Sequence, residues 1–354
     1  MKSLLITGGS GFVGSNLAVY FREHFPDLRI ICFDNLKRRG SELNLPRLKK
    51  LGIEFVHGDI RNKEDLFSLP DIDLILECSA EPSVLAGRDG SPDYLINTNL
   101  FGTVNCLELA RRSKSGLIFL STSRVYPIAS LNSLDYTETE SRFELNDSQK
   151  IPGASSKGYT EEFPLTGARS LYGATKLASE LLIEEYRDTF GLKTIINRCG
   201  VLTGPWQMGK VDQGVITFWI AAHLFGNSLK YFGYGGEGKQ VRDILHVRDL
   251  FSLLLIQISK LDSLSGEVFN VGGGREVSLS LKELTQICRG VTGKSVSISS
   301  VPQDREADIR IYLTDNSKVS NLTGWEPKIK ANEIIEDISN WINENIQELK
   351  PILG

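Results

Sequence analysis

Short apolar runs recur through the first two hundred residues, each closed by glycine or polar positions and most followed by a stretch in which apolar residues return every three or four positions. Leu4-Leu5-Ile6 passes directly into a glycine-rich turn, and Leu28 to Phe33 stops at Asp34. Ile53 to Val56 leads to Asp59 and Ile60, Ile72 to Leu76 to Cys78-Ser79-Ala80-Glu81, and Gly116 to Leu120 to Ser121-Thr122-Ser123. A sixth run covers Lys193 to Arg198. Mostly apolar runs of this length fit strands buried in a sheet, and the periodic stretches between them fit crossover helices. The alternation predicts an α/β fold with a doubly wound, mostly parallel sheet.

Helices are expected over about 11–23, 62–69, 94–112 and 170–190. The last has Leu171, Ala174, Leu177, Ala178, Leu181, Leu182 and Tyr186 on apolar positions. Residues 127–168 are polar, carry Pro127, Pro152 and Pro164, and exceed the usual length of a connection, which points to a substrate-side insertion. Beyond Val201 the alternation loosens. Helical period returns over 215–225, 247–258, 279–289 and 332–346, the last with an apolar stripe through Ile334, Ile335, Ile338, Trp341 and Ile342. The expected division is a dinucleotide-binding domain over 1–197 continued by 236–271, with a smaller discontinuous α/β lobe from 198–235 and 272–346.

Gly8, Gly11 and Gly14 stand where a chain must turn tightly, approach a pyrophosphate closely and pack a helix on a sheet. The helix that opens with Gly11, Phe12 and Val13 would aim its first amides and partial positive charge at phosphates. Asp34, at the end of the second run, lies about 20 residues beyond the last glycine, where an acidic residue accepts the ribose hydroxyls of a dinucleotide. A carboxylate there repels a 2′-phosphate, so NAD is expected before NADP. The basic run Lys37-Arg38-Arg39 could hold that phosphate if Asp34 turned away. Asp59 is placed to bond the adenine amine, with Ile60 covering the ring, or to cap the helix that follows. Ser79 and Ala80 fall at the carboxyl edge of the sheet, where ligands lie in this architecture. Asn97 and Asn99 either face solvent or reach the cofactor. Ser121, Thr122 and Ser123 are adjacent hydroxyls after a buried strand, each needing a partner if desolvated, and a bound sugar can serve.

The balance of 40 basic against 44 acidic residues, a formal charge of −4, gives no general attraction to nucleic acid or an anionic membrane. Five scattered cysteines without a CxxC pair, and only four histidines, argue against disulfides and metal and for a reducing compartment. No stretch approaches 18 apolar residues and no signal-type segment precedes the first strand, so a cytoplasmic location is expected.

Tyr172 and Lys176 are four residues apart on a predicted helix, so both side chains leave one face. A tyrosine titrating near 10 needs a shift of roughly 3 units to act as a base at neutral pH, about 4 kcal/mol. An ammonium about 4 Å away supplies a comparable amount at an effective dielectric of about 20. Such a pair can take a hydroxyl proton as a hydride leaves the same carbon, with Thr122 holding the oxygen. Elsewhere, the same spacing marks an exposed pair without chemistry. Arg242 and Arg305 are candidates to grip a nucleotide diphosphate, or else form surface ion pairs with Asp243 and Asp308. Arg198 is assigned to the sheet edge or a sugar pocket, and His246 to a structural role.

TGGSGFVG at 7–14, DN at 34–35, HGDIR at 57–61, NTNLFGTVNCLE at 97–108, STSRVYP at 121–127, YGATK at 172–176, GP at 204–205, RDILHVRD at 242–249 and FNVGG at 269–273 span most of the chain. Together they resemble the extended short-chain dehydrogenase/reductase superfamily, in particular its nucleotide-sugar epimerases and dehydratases. The resemblance implies a Rossmann sheet, a tightly held and recycled NAD contacted through Asn35, Asn99 and Ser121 among others, and Tyr172, Lys176 and Thr122 as catalytic residues. It also implies a homodimer through helices 97–112 and 170–190. DQG at 212–214, GKQVRDILHVRDL at 238–250 and the long insertion are most similar to the 2-epimerases of CDP-linked 3,6-dideoxyhexoses, which implies a CDP-linked or other nucleotide-linked hexose met by Ser123, Arg124, Arg198, Gln213, Arg242 and Arg305. Glu77 stands where that family usually has histidine or phenylalanine. A 4,6-dehydratase needs an added Asp-Glu acid–base pair beside the threonine, where this chain has Ser123-Arg124. A 4-epimerase or 4-keto reductase, and an NAD-binding protein without catalysis, are the alternatives.

Overall fold

The computed structural model describes residues 1–354 except 89, 210–212 and 306. It divides into two compact units. The first comprises Met1–Val125, Ser170–Arg198 and Leu250–Phe269. Its strands are β1 (Ser3–Thr7), β2 (Arg29–Asp34), β3 (Glu54–His57), β4 (Leu74–Glu77), β5 (Gly116–Thr122) and β6 (Thr194–Cys199), and an edge strand β7 (Val268–Val271) begins in this unit. They form one sheet in the order β7-β6-β5-β4-β1-β2-β3. The five strands from β3 to β5 pair in parallel, with Leu4 opposite both Ile30 and Leu74. This is the doubly wound, mostly parallel Rossmann sheet that the apolar runs predict, and the order reverses between β1 and β4.

Burial explains why those runs are mostly apolar. Leu4, Leu5, Ile6, Ile31, Ile75, Leu76, Leu117 and Phe119 are all fully buried because helices cover both faces. Three helices matter for the site: α1 (Phe12–His24), α2 (Gly102–Ser113) and α3 (Leu171–Phe190). The single helix expected over 94–112 is broken. A turn of α-helix at Asp93–Ile96 runs into a π-helical segment, Asn97–Phe101, before α2 begins. Single π turns inside helices redirect side chains and recur at functional sites.

The second unit comprises Tyr126–Arg169, Cys199–Asp249 and Asn270–Gly354. The segments 126–169 and 236–249, expected within the dinucleotide-binding domain, belong here instead. Hydrogen bonding gives the reason. Strands at Tyr136–Glu138 and Phe143–Leu145 pair with each other, Tyr159 bridges to Thr314, and Val241–His246 pairs with Val201–Thr203, Ser278–Ser280 and Ile311–Tyr312. The core includes fully buried Tyr126, Tyr159 and Phe163, with Tyr159 stacked on Tyr312 at 5.1 Å. The final apolar stripe folds as Ala331–Glu344, which buries Ile334, Ile335, Ile338, Trp341 and Ile342 as expected. His246 is buried, with Nε2 3.0 Å from an Asp337 carboxylate oxygen and Nδ1 accepting from the Arg248 amide at 3.0 Å, a structural histidine. No described helix is long and apolar enough to cross a membrane, and no described group of histidine, cysteine and acidic residues could hold a metal ion.

Candidate active site

The turn between β1 and α1 lies where the strand order reverses, which is where ligands bind in doubly wound sheets. Gly8 has φ +64°, and a Cβ there would meet the Cys78 carbonyl oxygen at 2.9 Å, on the loop that follows β4. A Cβ on Gly14 would stand 2.3 Å from the Gly8 carbonyl oxygen, so the helix seats on the turn only with glycine. Gly9, which the fingerprint did not single out, is equally confined, because its Cβ would lie 2.5 Å from Cys32 Cβ on β2. Gly11 differs: its Cβ would meet nothing closer than the Gly8 oxygen at 3.1 Å. A methyl group there needs the turn to give by only a few tenths of an ångström, which fits a glycine kept for an incoming group. The Gly11 amide is committed to the Gly8 carbonyl at 3.0 Å, so Phe12 and Val13 supply the leading amides of α1. The buried hydroxyls of Thr7 and Ser10 have no hydrogen-bond partner among the described residues, which also fits a polar ligand at this turn.

Asp34 faces the turn. Its carboxylate accepts the Ser10 amide at 3.1 Å and the Leu36 amide at 2.8 Å, and burial raises its pKa against the pull of those amides. Lys37 does not wait beside it for a phosphate; its ammonium lies over the Tyr94 ring at 3.7 Å. Asp59 neither caps the next helix, whose N-cap is Asn62, nor stands open. Arg61 binds both its oxygens, at 2.9 and 2.6 Å, and Asn35 donates to it at 3.0 Å. The Arg61 hydrogen bonds hold its carboxyl down at about 2. Ile60 is buried under Gly102, whose Cβ would lie 2.9 Å from it.

Asn99 is 1 % exposed and its amide is fully engaged in the protein. Its Oδ1 accepts the Glu81 amide at 2.8 Å, and its Nδ2 donates to the Glu81 carbonyl at 3.1 Å and to Thr175 Oγ1 at 3.2 Å. Asn99 ties the loop holding half-buried Ser79 and Ala80 to α3. It lies within the π-helical segment.

Tyr172 and Lys176 occupy the first turns of α3, whose start is pinned by Ser170: its hydroxyl accepts the Gly173 amide at 3.2 Å. Tyr172 is half-buried, while Lys176 is 2 % exposed with its ammonium 3.7 Å above the centre of the Phe119 ring on β5. Thr122 ends β5, and its Oγ1 accepts the Arg124 amide at 3.2 Å. Ser123 and Arg124 follow, both half-buried. Ser121 and Arg198 meet on one carboxylate. The Ser121 hydroxyl bonds Glu180, and Arg198 places Nε 3.0 Å and Nη2 2.7 Å from the same carboxylate. Buried Glu180 is thus the partner that the Ser121 hydroxyl needed, and the Arg198 guanidinium serves an ion pair within the first unit.

In the second unit Arg242 and Arg305 are both half-buried and near one turn. Arg242 donates to Asp308 at 3.1 Å and to its neighbour's carbonyl, the Val241 oxygen, at 2.8 Å. The ion pair with Asp308 forms; one with Asp243 does not. Asp243 is instead fully buried, accepting the Gly274 and Thr314 amides. Arg305 stacks on Phe232 at 3.6 Å. The sequence reading missed Arg310, which lies over Tyr136 at 4.3 Å and Tyr234 at 5.1 Å, and Asn132, which accepts the Arg310 amide at 2.9 Å and donates to the Asp308 carbonyl at 3.0 Å. No short motif links these scattered positions. Gln213 is half-buried just ahead of the helix Val215–Phe225, and Asp212 beside it lies outside the described residues.

Comparison with known proteins adds an independent line. A family model described as the NAD dependent epimerase/dehydratase family matches residues 4–272. Among curated proteins, the CDP-paratose 2-epimerase of Salmonella typhi is 35% identical over 348 residues, covering 96% of this chain and 98% of that protein. Among solved structures, the UDP-glucose 4-epimerase of Thermotoga maritima with UDP-glucose superposes with a TM-score of 0.78 at 25% identity, covering 97% of this chain and 99% of the other. The dTDP-glucose 4,6-dehydratase of Bacillus anthracis in complex with NAD gives a TM-score of 0.78 at 28% identity, covering 99% and 100%.

Proposed function

Since the chain belongs to the NAD dependent epimerase/dehydratase family, we propose that it inverts one hydroxyl-bearing carbon of a nucleotide-linked hexose by transient oxidation and re-reduction. The observation that carries this is the placement of Tyr172 and Lys176 one turn apart at the capped start of α3, with Thr122 ending β5, the strand on which α3 packs. Gly8, Gly11, Phe12, Val13 and Gly14 are assigned to the pyrophosphate of NAD, Asp34 to its adenosine ribose, and Asp59, Ile60, Ser79 and Ala80 to the adenine side and the strand ends. NAD, when bound, supplies a hydride acceptor that gives the hydride back, so the net reaction is redox-neutral. Tyr172 takes the hydroxyl proton and later returns it. Lys176 favours the phenolate by its charge, and Thr122 holds the sugar oxygen. Arg242 and Arg305, with Gln213, Ser123 and Arg124, are assigned to the nucleotide sugar.

Inversion at C4 is supported by the likeness to the Thermotoga UDP-glucose 4-epimerase. A second reading, conversion of CDP-paratose to CDP-tyvelose by inversion at C2, is supported by the 35% identity to the Salmonella enzyme. Dehydration is disfavoured because Arg124 is permanently protonated and cannot serve as the acid. Incubation of the purified protein, without added NAD, with UDP-glucose, UDP-galactose and CDP-paratose, followed by NMR, tests these readings. A C4 epimer supports the first and a C2 epimer the second. No conversion of any of them, with or without NAD, overturns the proposal. In heavy water the inverted carbon is expected to carry no deuterium.

A homodimer is proposed through the helices at 97–112 and 170–190, where Phe101, Leu171, Leu181 and Phe190 are 54, 42, 58 and 50 % exposed. Such an interface would cover exposed apolar side chains of these helices. Leu181→Glu is expected to yield monomers in sedimentation analysis; a monomeric parent protein would overturn the assignment.

A further inference from the structure

Glu77 ends β4 and is fully buried, an unusual place for a carboxyl group with no salt bridge among the described residues. Each packed element contributes one or two facing groups. Across β1 its register partner is Thr7, whose buried hydroxyl also lacks a partner. Across β5 its register partner is Phe119, and the Lys176 ammonium of α3 lies over that ring at 3.7 Å. From α2 come Thr103, whose Oγ1 is 2.7 Å from Glu77 Oε1, and Cys106. Only Lys176 and Cys106 among these titrate. Burial keeps the Cys106 thiol protonated, so among the described residues the lysine is the charge that acts on Glu77.

Hydrogen counting shows that the cluster has two states. Thr103 Oγ1 is also 2.8 Å from the Asn99 carbonyl oxygen, and a hydroxyl has one hydrogen to give. When Glu77 is protonated it can donate to Thr103, which then donates to Asn99. When Glu77 is ionised it takes the Thr103 hydrogen, leaving Ser179 Oγ, 3.0 Å away, to serve that carbonyl. Glu77 Oε2 has no hydrogen-bond partner among the described residues in either arrangement. Burial pushes this carboxyl up to about 7, against the pull of Lys176 and Thr103, so both states are within reach at neutral pH.

We propose that Glu77 is a positioning residue for the Tyr172–Lys176 pair, a buried carboxyl group whose gain or loss of a proton sets how much positive field Lys176 delivers to the Tyr172 phenol. This rests on the reading of Tyr172 as the base. Neutral Glu77 takes nothing from the field of the ammonium and leaves the phenol easier to ionise. Ionised Glu77 offsets the ammonium and makes the phenol harder to ionise. The two groups then titrate against each other, and the ionisation of Tyr172 is spread over a wider pH range than that of an isolated group.

The test is a tyrosinate difference titration of the NAD-loaded protein against its Tyr172→Phe counterpart, run with Glu77 intact and as Glu77→Gln. Glutamine keeps the size and one acceptor but never carries charge. The Tyr172 midpoint is expected to fall by about half a pH unit or more in the glutamine background, and the curve to sharpen. The acid limb of kcat/KM should move the same way. A midpoint and slope unchanged by Glu77→Gln overturn the proposal. Should that variant fail to fold, Glu77→Met, of similar length and uncharged, carries the same expectation and the same refutation. Absence of turnover in the parent protein would overturn the proposed function, while the titration would still decide the role of Glu77.

Discussion

The Arg198 guanidinium grips the Glu180 carboxylate with both side chains almost wholly buried, at 7 and 4 % exposure, and the Ser121 hydroxyl closes on the same carboxylate. An arginine that ends an apolar run and is followed by a looser part of the chain reads as a residue of the sheet edge or of a sugar pocket. Its actual partner lies 18 residues earlier on α3.

This geometry predicts a stability effect. Arg198→Leu leaves Glu180 buried without its cation, which is expected to cost about 3–5 kcal/mol in urea unfolding, with little change in KM among the folded molecules. A raised KM at unchanged stability would return Arg198 to the sugar.

The glycine turn separates two kinds of requirement. Gly14→Ala places a methyl group 2.3 Å from the Gly8 carbonyl, so both the melting temperature and NAD retention should fall. Gly11→Ala meets only a 3.1 Å contact and should leave the melting temperature of the cofactor-free protein nearly unchanged while weakening NAD binding. Thermal unfolding with and without NAD distinguishes them. Equal loss of stability in both variants would show that Gly11, too, is kept for packing.

Tyr172→Phe should retain NAD and nucleotide sugar yet lose about 10²–10⁴ in turnover, the usual contribution of a positioned acid–base group. Isothermal titration with the nucleotide diphosphate, alongside the NMR assay, checks both halves of that statement.

Asp243 gives a pH prediction in the second unit. It is fully buried, its Oδ2 accepts two backbone amides, and burial raises its carboxyl to about 6. A carboxyl whose folded pKa lies above its unfolded value binds more protons when folded, so its contribution to stability falls as pH rises from about 4 to about 6. Asp243→Asn should remove that slope, about 2–3 kcal/mol across the window by linkage, when parent and variant are compared by urea unfolding at several pH values. Parallel curves would rule out a raised pKa at this position.

The hydrophobic pattern and a few residues of special shape determined much of this protein on their own. Strands buried on both faces need mostly apolar runs, so β1, β2, β4 and β5 are visible in sequence, as is the capped helix carrying Tyr172 and Lys176. Gly8 and Gly14 were legible because backbone contact there tolerates no Cβ. Tertiary structure alone decided where polar side chains find their partners. Asn99 engages Glu81 and Thr175, Arg242 pairs with Asp308, and Arg310 stacks on Tyr136 and Tyr234, across separations that no periodicity encodes. The same holds for segments 126–169 and 236–249, whose strands pair within the second unit. Apolar burial follows a local repeat along the chain, whereas a hydrogen bond or ion pair depends on which distant atoms the finished fold brings within 3 Å.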